Sequence, residues 1–429
     1  MKVPENRSRW LALLVVFMLV VAACSDDSGD TTTTASETSD TTATTASETS
    51  ETTATTEAPK APITVAAINQ QDGVVAWPEM VSAANAILDW YNAQGGIDGH
   101  PIELNLCTAG DEPESTQACA QQFANDDAVE YVFSMAVPNS ATMFEAVGAA
   151  GKPMVGHLLW DIPDSVQPDL YSSDPGVLAI ATVLLEHLVD DLGYSSVGIV
   201  TTDSPFGRDT ADFISFLVEG YGATTEAVFY DEGTADYLPA FASVDLDGLD
   251  AILFLPFTLA ECVPAAEALT TLGWENTTIS TDLCAAQSFA ESGAFDGWLY
   301  AMPSAALVEG NPDRDLLVSI FDEYGDGVQV DGFAVNAALE TFWLIEVLED
   351  AYALAGSEAI TGDNIRAAAE AWSGHLTTGP DTLDCPGVGG FVANCNSAAL
   401  VMKLQDGIFV EQTGFRLIDM NVYAPLLEG

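Results

Sequence analysis

Residues 87–104 read ILDWYNAQGGIDGHPIEL and contain the end of a helix, a glycine turn and the start of a strand. Upstream, Pro78 opens a helix whose apolar residues recur three and four positions apart. Gly95 and Gly96 follow in the position that glycine prefers at the end of a helix. The apolar segment 102–106 (IELNL) is typical of a strand. This stretch therefore predicts a helix that passes directly into a strand, the repeating unit of an α/β protein.

The same alternation of strand and helix patterns continues along the chain in two series. The predicted strands are 63–68, 102–106, 131–134 and 153–156, then 196–202, 225–230, 251–255, 278–281 and 298–302. Such units require parallel sheets covered by helices. We predict an α/β fold of two Rossmann-like lobes joined by a hinge that the chain crosses several times. The predicted lobes are 61–177 plus 303–378 and 178–302 plus 379–429.

The first residues have the pattern of a secretory signal. A basic start precedes an apolar run at 11–23, which is shorter than the roughly 20 residues of a membrane-spanning helix. The run ends in Val-Ala-Ala before Cys24, which resembles the bacterial lipobox. The resemblance implies a signal peptide at 1–23 and a lipid on Cys24. An ordinary signal, in which Cys24 is incidental, is the alternative.

Residues 24–60 are predicted to form the lipid anchor and a disordered tether. Residues 25–60 contain 20 Ser and Thr and 8 acidic side chains, with no aromatic or large aliphatic residue. A segment of this composition cannot bury enough apolar surface to offset the loss of chain entropy on folding.

Residues 61–429 contain 56 acidic and 6 basic side chains, a net charge of −50. This charge excludes a nucleic-acid-binding protein, because phosphates require a basic surface. We interpret the acidic side chains as a strongly hydrated surface, as in salt-adapted proteins. Calcium binding by the acidic run 322–331 is the alternative, but the run lacks the ligand spacing of an EF-hand loop. We predict neither a metal nor a cofactor.

The cysteines divide into Cys24 and six others. An even number of cysteines in an exported domain indicates disulfides. The six form three close pairs along the sequence, so we predict that neighbours are joined: Cys107–Cys119, Cys262–Cys284 and Cys385–Cys395.

The turn within 87–104 has the form Asn-Ala-x-Gly-Gly-Ile. It resembles the corresponding segment of type I periplasmic binding proteins of the leucine/isoleucine/valine-binding family. The resemblance continues through four further segments: Cys107 with Cys119, SVGIVTTDSPFG (196–207), AILFLPF (251–257) and TDLC (281–284). It covers residues 61 to 420. It implies the ligand receptor of an ABC importer, with two lobes that close on a small molecule.

Ligands of open α/β lobes bind beyond the carboxyl ends of the strands, and the candidate residues lie at those positions. The helix start at 138–142 could hold a carboxylate through backbone N–H groups and hydroxyls, although simple N-capping explains it equally well. The candidate ligand-binding residues are Trp77, Pro138, Asn139, Ser140, Thr142, His157, Trp160, Phe206, Phe257 and Asp282.

The family resemblance gives roles to three of these residues. It implies that Asp282 receives the ligand ammonium, that Phe257 covers the ligand and that Phe206 lies at the mouth of the cleft. A surface aspartate and ordinary core aromatics are the alternatives. The segment His157-Leu158-Leu159-Trp160 departs from the family, which has small residues and a threonine there. Trp160 could therefore stack on a flat ring or fill the pocket.

These features predict an extracytoplasmic, membrane-anchored, monomeric lipoprotein that delivers a small ligand to an ABC permease. The expected ligand is polar or zwitterionic: a branched-chain amino acid, or a related amino acid, amide or aromatic acid. A ligand-sensing receptor without transport is the alternative. An adhesive or structural protein is disfavoured by the two-lobed cleft. An enzyme is disfavoured, because the sequence has no G-x-S-x-G elbow and its cysteines are expected to be paired.

Overall fold

The computed structural model describes residues 60–73, 76–290, 292–356 and 359–428. The predicted signal peptide, Cys24 and the tether up to residue 59 lie outside the described residues. Within the described part of the chain, no helix is both long enough and apolar enough to cross a bilayer.

The strands form two sheets. The first sheet is parallel and has the order β2-β1-β3-β4-β5, with β1 (Ile63–Gln70), β2 (Ile102–Ala109), β3 (Val132–Ser134), β4 (Met154–Gly156) and β5 (Leu170–Tyr171). The second sheet has the order β12-β11-β10-β9-β8-β6-β7. Its parallel strands are β6 (Ser196–Thr202), β7 (Thr224–Tyr230), β8 (Ala251–Leu255), β9 (Thr277–Ser280) and β10 (Leu299–Met302). Its antiparallel strands are β11 (Ala398–Gln405), β12 (Ile408–Glu411) and β13 (Arg416–Leu417), which pairs with β11.

Helices connect and cover these strands. In the first half of the chain they are α1 (Pro78–Ala93), α2 (Pro113–Ala124), α3 (Ala141–Ala149), α4 (Ile162–Ser165), α5 (Gly176–Leu185) and α6 (Pro205–Gly220). In the second half they are α7 (Leu238–Ser243), α8 (Cys262–Leu272), α9 (Gln287–Ala290), α10 (Pro312–Tyr324), α11 (Gly332–Ala355) and α12 (Gly362–Ala371). A π-helical segment, Glu186–Asp191, extends α5.

The first lobe is a sheet between two helix layers, as the alternation of side chains along β1 requires. Val65 and Ala67 join a core with residues of α1 and α11. Ala66 and Ile68 point to the opposite face, where they pack with α2 and α3. The second lobe follows the same rule. Leu253 of β8 packs with α5 and α6, whereas its neighbour Phe254 joins the cluster that contains α7 and α8.

The turn that ends α1 shows why glycine is needed there. Gly96 has φ +59°, and a Cβ at this position would lie 2.2 Å from the backbone oxygen of His100. Glycine therefore allows the chain to pass from α1 into β2 within a few residues. The predicted fold class, two Rossmann-like lobes of parallel sheets flanked by helices, is confirmed.

The chain runs between the sheets three times, before α5, after β10 and before β11. Helices α10 and α11 pack against α1, which returns the chain to the first lobe. The lobe boundaries predicted from the sequence stay predictions. Disulfides join the neighbouring cysteines favoured by the spacing: Cys107 to Cys119, Cys262 to Cys284 and Cys385 to Cys395.

Candidate functional site

A cavity of about 450 Å³ lies where the carboxyl ends of both sheets meet. This is the place at which open α/β sheets bind ligands, and the volume lies within the ordinary range for small-molecule sites. First-lobe residues on its wall include Trp77, Leu159, Trp160, Phe333 and Asn336. From the second lobe come Phe206, Pro256, Phe257, Thr281 and Asp282. The wall contains no Lys, Arg or His among the described residues.

Three aromatic rings from distant parts of the chain form the first-lobe wall. Trp160 stacks on Trp77 with ring centroids 5.2 Å apart and an interplanar angle of 26°. Phe333, in the first turn of α11, lies 5.4 Å from Trp77 and 5.7 Å from Trp160. Trp160 therefore fills space on this wall by packing on another protein ring, one of the two roles expected for it.

Two phenylalanines form the facing wall, with centroids 5.3 Å apart in an edge-to-face arrangement. Phe206 lies in the first turn of α6, which Ser204 caps by accepting a hydrogen bond from the Gly207 N–H at 3.0 Å. Phe257 follows β8, and its N–H donates to the Glu261 carboxylate at 3.1 Å. Phe206 is 41% exposed, so this side of the cavity is open to solvent.

Asp282 is one of four aspartates on the described cavity wall, with Asp161, Asp174 and Asp209. It begins a short 3₁₀ turn after β9, and the disulfide Cys262–Cys284 ties this turn to α8. The Asn336 side-chain amide donates a hydrogen bond to the Asp282 carboxylate. Burial raises the pKa of Asp282 to about 6. The side-chain oxygen of Asn336 is buried and has no hydrogen-bond partner among the described residues. The site thus presents two acceptors to a ligand.

Among the carboxyl groups at or beside this site, those of Asp174 and Glu340 are buried, and neither was predicted from the sequence. Asp174 is on the cavity wall, and its carboxylate accepts hydrogen bonds from the Leu159 N–H at 3.2 Å and the Gly176 N–H at 2.8 Å. Glu340 of α11 accepts from the Ser172 hydroxyl at 3.1 Å and from the Asp174 N–H at 2.9 Å. Burial raises the pKa of Asp174 to about 7 and that of Glu340 to about 8, and repulsion by the Asp174 carboxylate contributes to the raised pKa of Glu340.

The structure places five of the predicted site residues away from the cavity. Pro138, Asn139, Ser140, Thr142 and His157 do not contribute to its wall. Asn139 instead donates to the backbone oxygen of Asp111 at 3.0 Å, and the Thr142 hydroxyl is buried without a partner among the described residues. A ligand-binding role for these five residues stays a prediction.

The physical reason is a buried protein carboxylate in front of α3. Asp164 accepts a hydrogen bond from the Ser140 hydroxyl at 2.5 Å and from the Trp160 N–H at 3.0 Å. His157 Nε2 lies 3.5 Å from the same carboxylate, while His157 Nδ1 lies 2.9 Å from the Ser134 hydroxyl. The Asp164 carboxylate therefore lies at the start of α3, at the place where the sequence had suggested that a ligand carboxylate binds.

Comparison with known protein families matches residues 62–393 to the model described as periplasmic binding protein. The chain belongs to the periplasmic binding protein family. The resemblance to the type I, leucine/isoleucine/valine-binding members, seen in residues 87–104, is confirmed at the level of family and fold. Comparison with curated protein sequences gives no match.

Solved structures of other binding proteins share this fold. The leucine-binding protein LivK from Thermotoga maritima is 15% identical, with a TM-score of 0.66 over 83% of this chain and 99% of that one. LivJ from Streptococcus pneumoniae, in complex with isoleucine, is 16% identical, with a TM-score of 0.65 over 83% and 100% of the two chains. A fatty acid ABC transporter substrate-binding protein from Thermomonospora curvata is 14% identical, with a TM-score of 0.67 over 84% and 94%. At these identities the likeness shows the shared fold.

In this binding protein, the site residues missed by sequence reasoning carried different signals. Glu340 and Asn336 are polar residues within the apolar helix α11, a pattern that marks buried polar groups and could have singled them out. Asp174 and Phe333 carried no such signal, because nothing local distinguishes them from surface and core residues.

Proposed function

We propose that this binding protein is an extracytoplasmic solute-binding lipoprotein of an ABC importer, with its ligand held in the cavity between the lobes. The observation that supports this function most strongly is the cavity at the carboxyl ends of both sheets, with Asp282 on its wall. Asp282 and Asn336 both offer acceptors, so the ligand group that meets them is a hydrogen-bond donor, such as an ammonium or an amide.

The other polar groups of the wall suit a zwitterion or a neutral amide. The indole N–H groups of Trp77 and Trp160 are buried and have no partner among the described residues. They are neutral donors, able to meet a ligand oxygen without a basic side chain. The named ligands of structural neighbours (leucine, isoleucine, fatty acid) combine a polar end with an apolar part. The cavity, with its carboxyl groups and aromatic walls, offers the same combination.

A thermal-shift panel of amino acids, amides, amines and aromatic acids tests this function. We expect one ligand class to raise the melting temperature sharply, because a ligand at 100 times its Kd stabilises the folded state by about 2.7 kcal/mol. If no compound of any class stabilised the protein, solute binding would be the wrong function. Uptake of the stabilising ligand by cells with and without this protein then separates transport from sensing without transport.

Membrane attachment through Cys24 has its own test. Cys24→Ala should release the protein into the medium or leave it with its signal peptide, because the run Val-Ala-Ala-Cys resembles a lipobox and the variant lacks the thiol that carries the lipid. Fractionation of cells followed by mass determination of the amino terminus measures both outcomes. Retention of a processed variant in the membrane would show that the anchor lies elsewhere. Ser25→Ala, next to the cysteine, is the matched control and should stay attached.

A further inference from the structure

The cavity does not end at the cleft but continues into the second lobe, between helices α5 and α6 and one face of the sheet. The residues on this inner part of the wall are Leu184, Phe213, Ile214, Leu253, Leu255 and Ala301. Leu184, Ile214, Leu253 and Ala301 also belong to the core cluster of this lobe. The cavity therefore reaches among side chains that would normally be in close contact.

We propose that the ligand carries an aliphatic chain, and that this chain occupies the inner part of the cavity in the second lobe. The proposal rests on the proposed function and names the chemical class of its ligand: an amphiphile whose polar head lies near Asp282. In this proposal the apolar part of the ligand lies between helices α5 and α6 and strands β8 and β10.

The inner wall is formed mainly by apolar side chains of α5, α6, β8 and β10, although α6 also contributes Asp209 and Thr210 to the cavity and β9 contributes Ser280. Alternate residues of β8, Leu253 and Leu255, face the same helices, and Ala301 of β10 lies on the same face of the sheet. Ile180, Ala181 and Leu184 face them from α5. A polar ligand group would lose its hydrogen bonds to water here without replacement. Apolar cavities of this kind stay dry and take up apolar molecules.

The depth of the cavity sets the length of the ligand's alkyl chain. Val177 and Leu184 both line the cavity, and seven residues of α-helix span about 10 Å. An extended alkyl chain advances roughly 1.25 Å per carbon, since C–C bonds of about 1.52 Å are staggered, so about eight carbons reach this depth. If each non-hydrogen atom of a ligand occupies roughly 30 Å³, the volume of a water molecule in the liquid, the cavity of about 450 Å³ has room for more non-hydrogen atoms than leucine contains.

The polar end of the ligand follows from the charges at the mouth of this inner part. Asp174 and Asp282 lie there, and the described cavity wall contains no basic side chain. With Asp161 and Asp209 also on the described cavity wall, an anionic head would meet four carboxyl groups and no cation. The head is therefore cationic or neutral, and primary amines are the simplest probes.

A series of n-alkylamines from butylamine to decylamine tests the chain. Isothermal titration of the full-length protein, below the micelle concentration of each amine, should show affinity rising about 3- to 4-fold per added methylene and levelling off near eight carbons. Octanoate should bind more weakly than octylamine if the head is as proposed. Affinity independent of chain length would overturn the proposal.

Two variants test whether the alkyl chain of the ligand lies in the second lobe. Ala301→Leu and Ala181→Leu fill the inner part from the sheet and from α5, and each should lower octylamine affinity at least tenfold while leaving butylamine affinity unchanged. Ala149→Leu on the exposed side of α3 is the control and should change neither. Circular dichroism shows whether each variant folds, and one folded variant is enough for the test.

The outcomes separate this proposal from the proposed function. If a compound of the ligand panel binds, but neither variant alters binding of any alkylamine, the aliphatic chain is wrong and solute binding stands. If neither the panel nor the alkylamines bind, the proposed function itself is wrong, and the chain proposal fails with it.

Discussion

Asp282→Asn should weaken ligand binding by tens- to thousands-fold, because it removes the charge that meets the ligand ammonium while keeping the shape of the side chain. Truncating or neutralising one member of a desolvated ion pair costs roughly 2 to 5 kcal/mol. Asp282 is the ionisable group that directly follows β9 on the cavity wall, and Asn336 holds it in place. Calorimetric titration with the ligand that the panel identifies measures the loss. Unchanged affinity would show that Asp282 does not meet a positive group of the ligand.

The dependence of affinity on pH gives the second readout for Asp282. Burial raises the pKa of this carboxyl to about 6, so the free protein loses the charge as the pH falls through that value. Binding of an ammonium should therefore weaken from pH 7 to pH 5 in the unchanged protein and weaken less in Asp282→Asn, where Asp174, with a pKa of about 7, still titrates on the cavity wall. Phe257→Ala is the matched control on the facing wall. It should weaken binding through lost apolar contact and keep the pH dependence.

Glu340→Gln should remove a large part of the pH dependence of folding stability. Burial raises the pKa of Glu340 from its ordinary value of 4.5 to about 8. Between those values the folded state keeps a proton that the unfolded chain has released, so stability falls as the pH rises. From pH 5 to pH 8 this group alone should cost roughly 3 to 4 kcal/mol of the free energy of unfolding. Glutamine imitates the protonated carboxyl and carries no such cost.

Urea unfolding at pH 5 and pH 8 measures the difference between the two proteins. The unchanged protein should lose more stability over this interval than Glu340→Gln, and the variant should be the more stable of the two at pH 8. Glu219→Gln is the control, because Glu219 is exposed on α6 and should leave the pH dependence unaltered. Parallel pH profiles for the unchanged protein and Glu340→Gln would show that Glu340 ionises in the folded state as it does in water.

The elements of the fold were largely predictable because their signals are local. Strands β6 and β8 occupy the ranges predicted from the sequence, and the turn after α1 contains Gly95 and Gly96, as predicted. Short elements without a periodic apolar pattern were not predicted. The two-residue strand β5 and the short helix α4 are too brief for an apolar pattern to emerge.

Half of the candidate site was also predictable, because topology brings the carboxyl ends of parallel strands to one edge of each sheet. Asp282 and Phe257 lie on the cavity wall for that reason. The start of α3 follows the same rule in the sequence, yet Asp164 covers it. A helix start seen in sequence does not reveal which distant side chain will meet its N–H groups and hydroxyls.

The amino-acid sequence alone was enough to predict the class of fold, the order of its elements, the pairing of neighbouring cysteines and the strand ends where a ligand would bind. These depend on residue spacing along the chain and on the geometry of a parallel sheet. The packing of remote segments sets three further features: the stacking of Trp77 on Trp160, the raised pKa of Glu340 and the depth of the cavity beside Ala301. Each of these depends on which groups from remote segments exclude water around a residue, and desolvation of that kind is a property of the packed molecule.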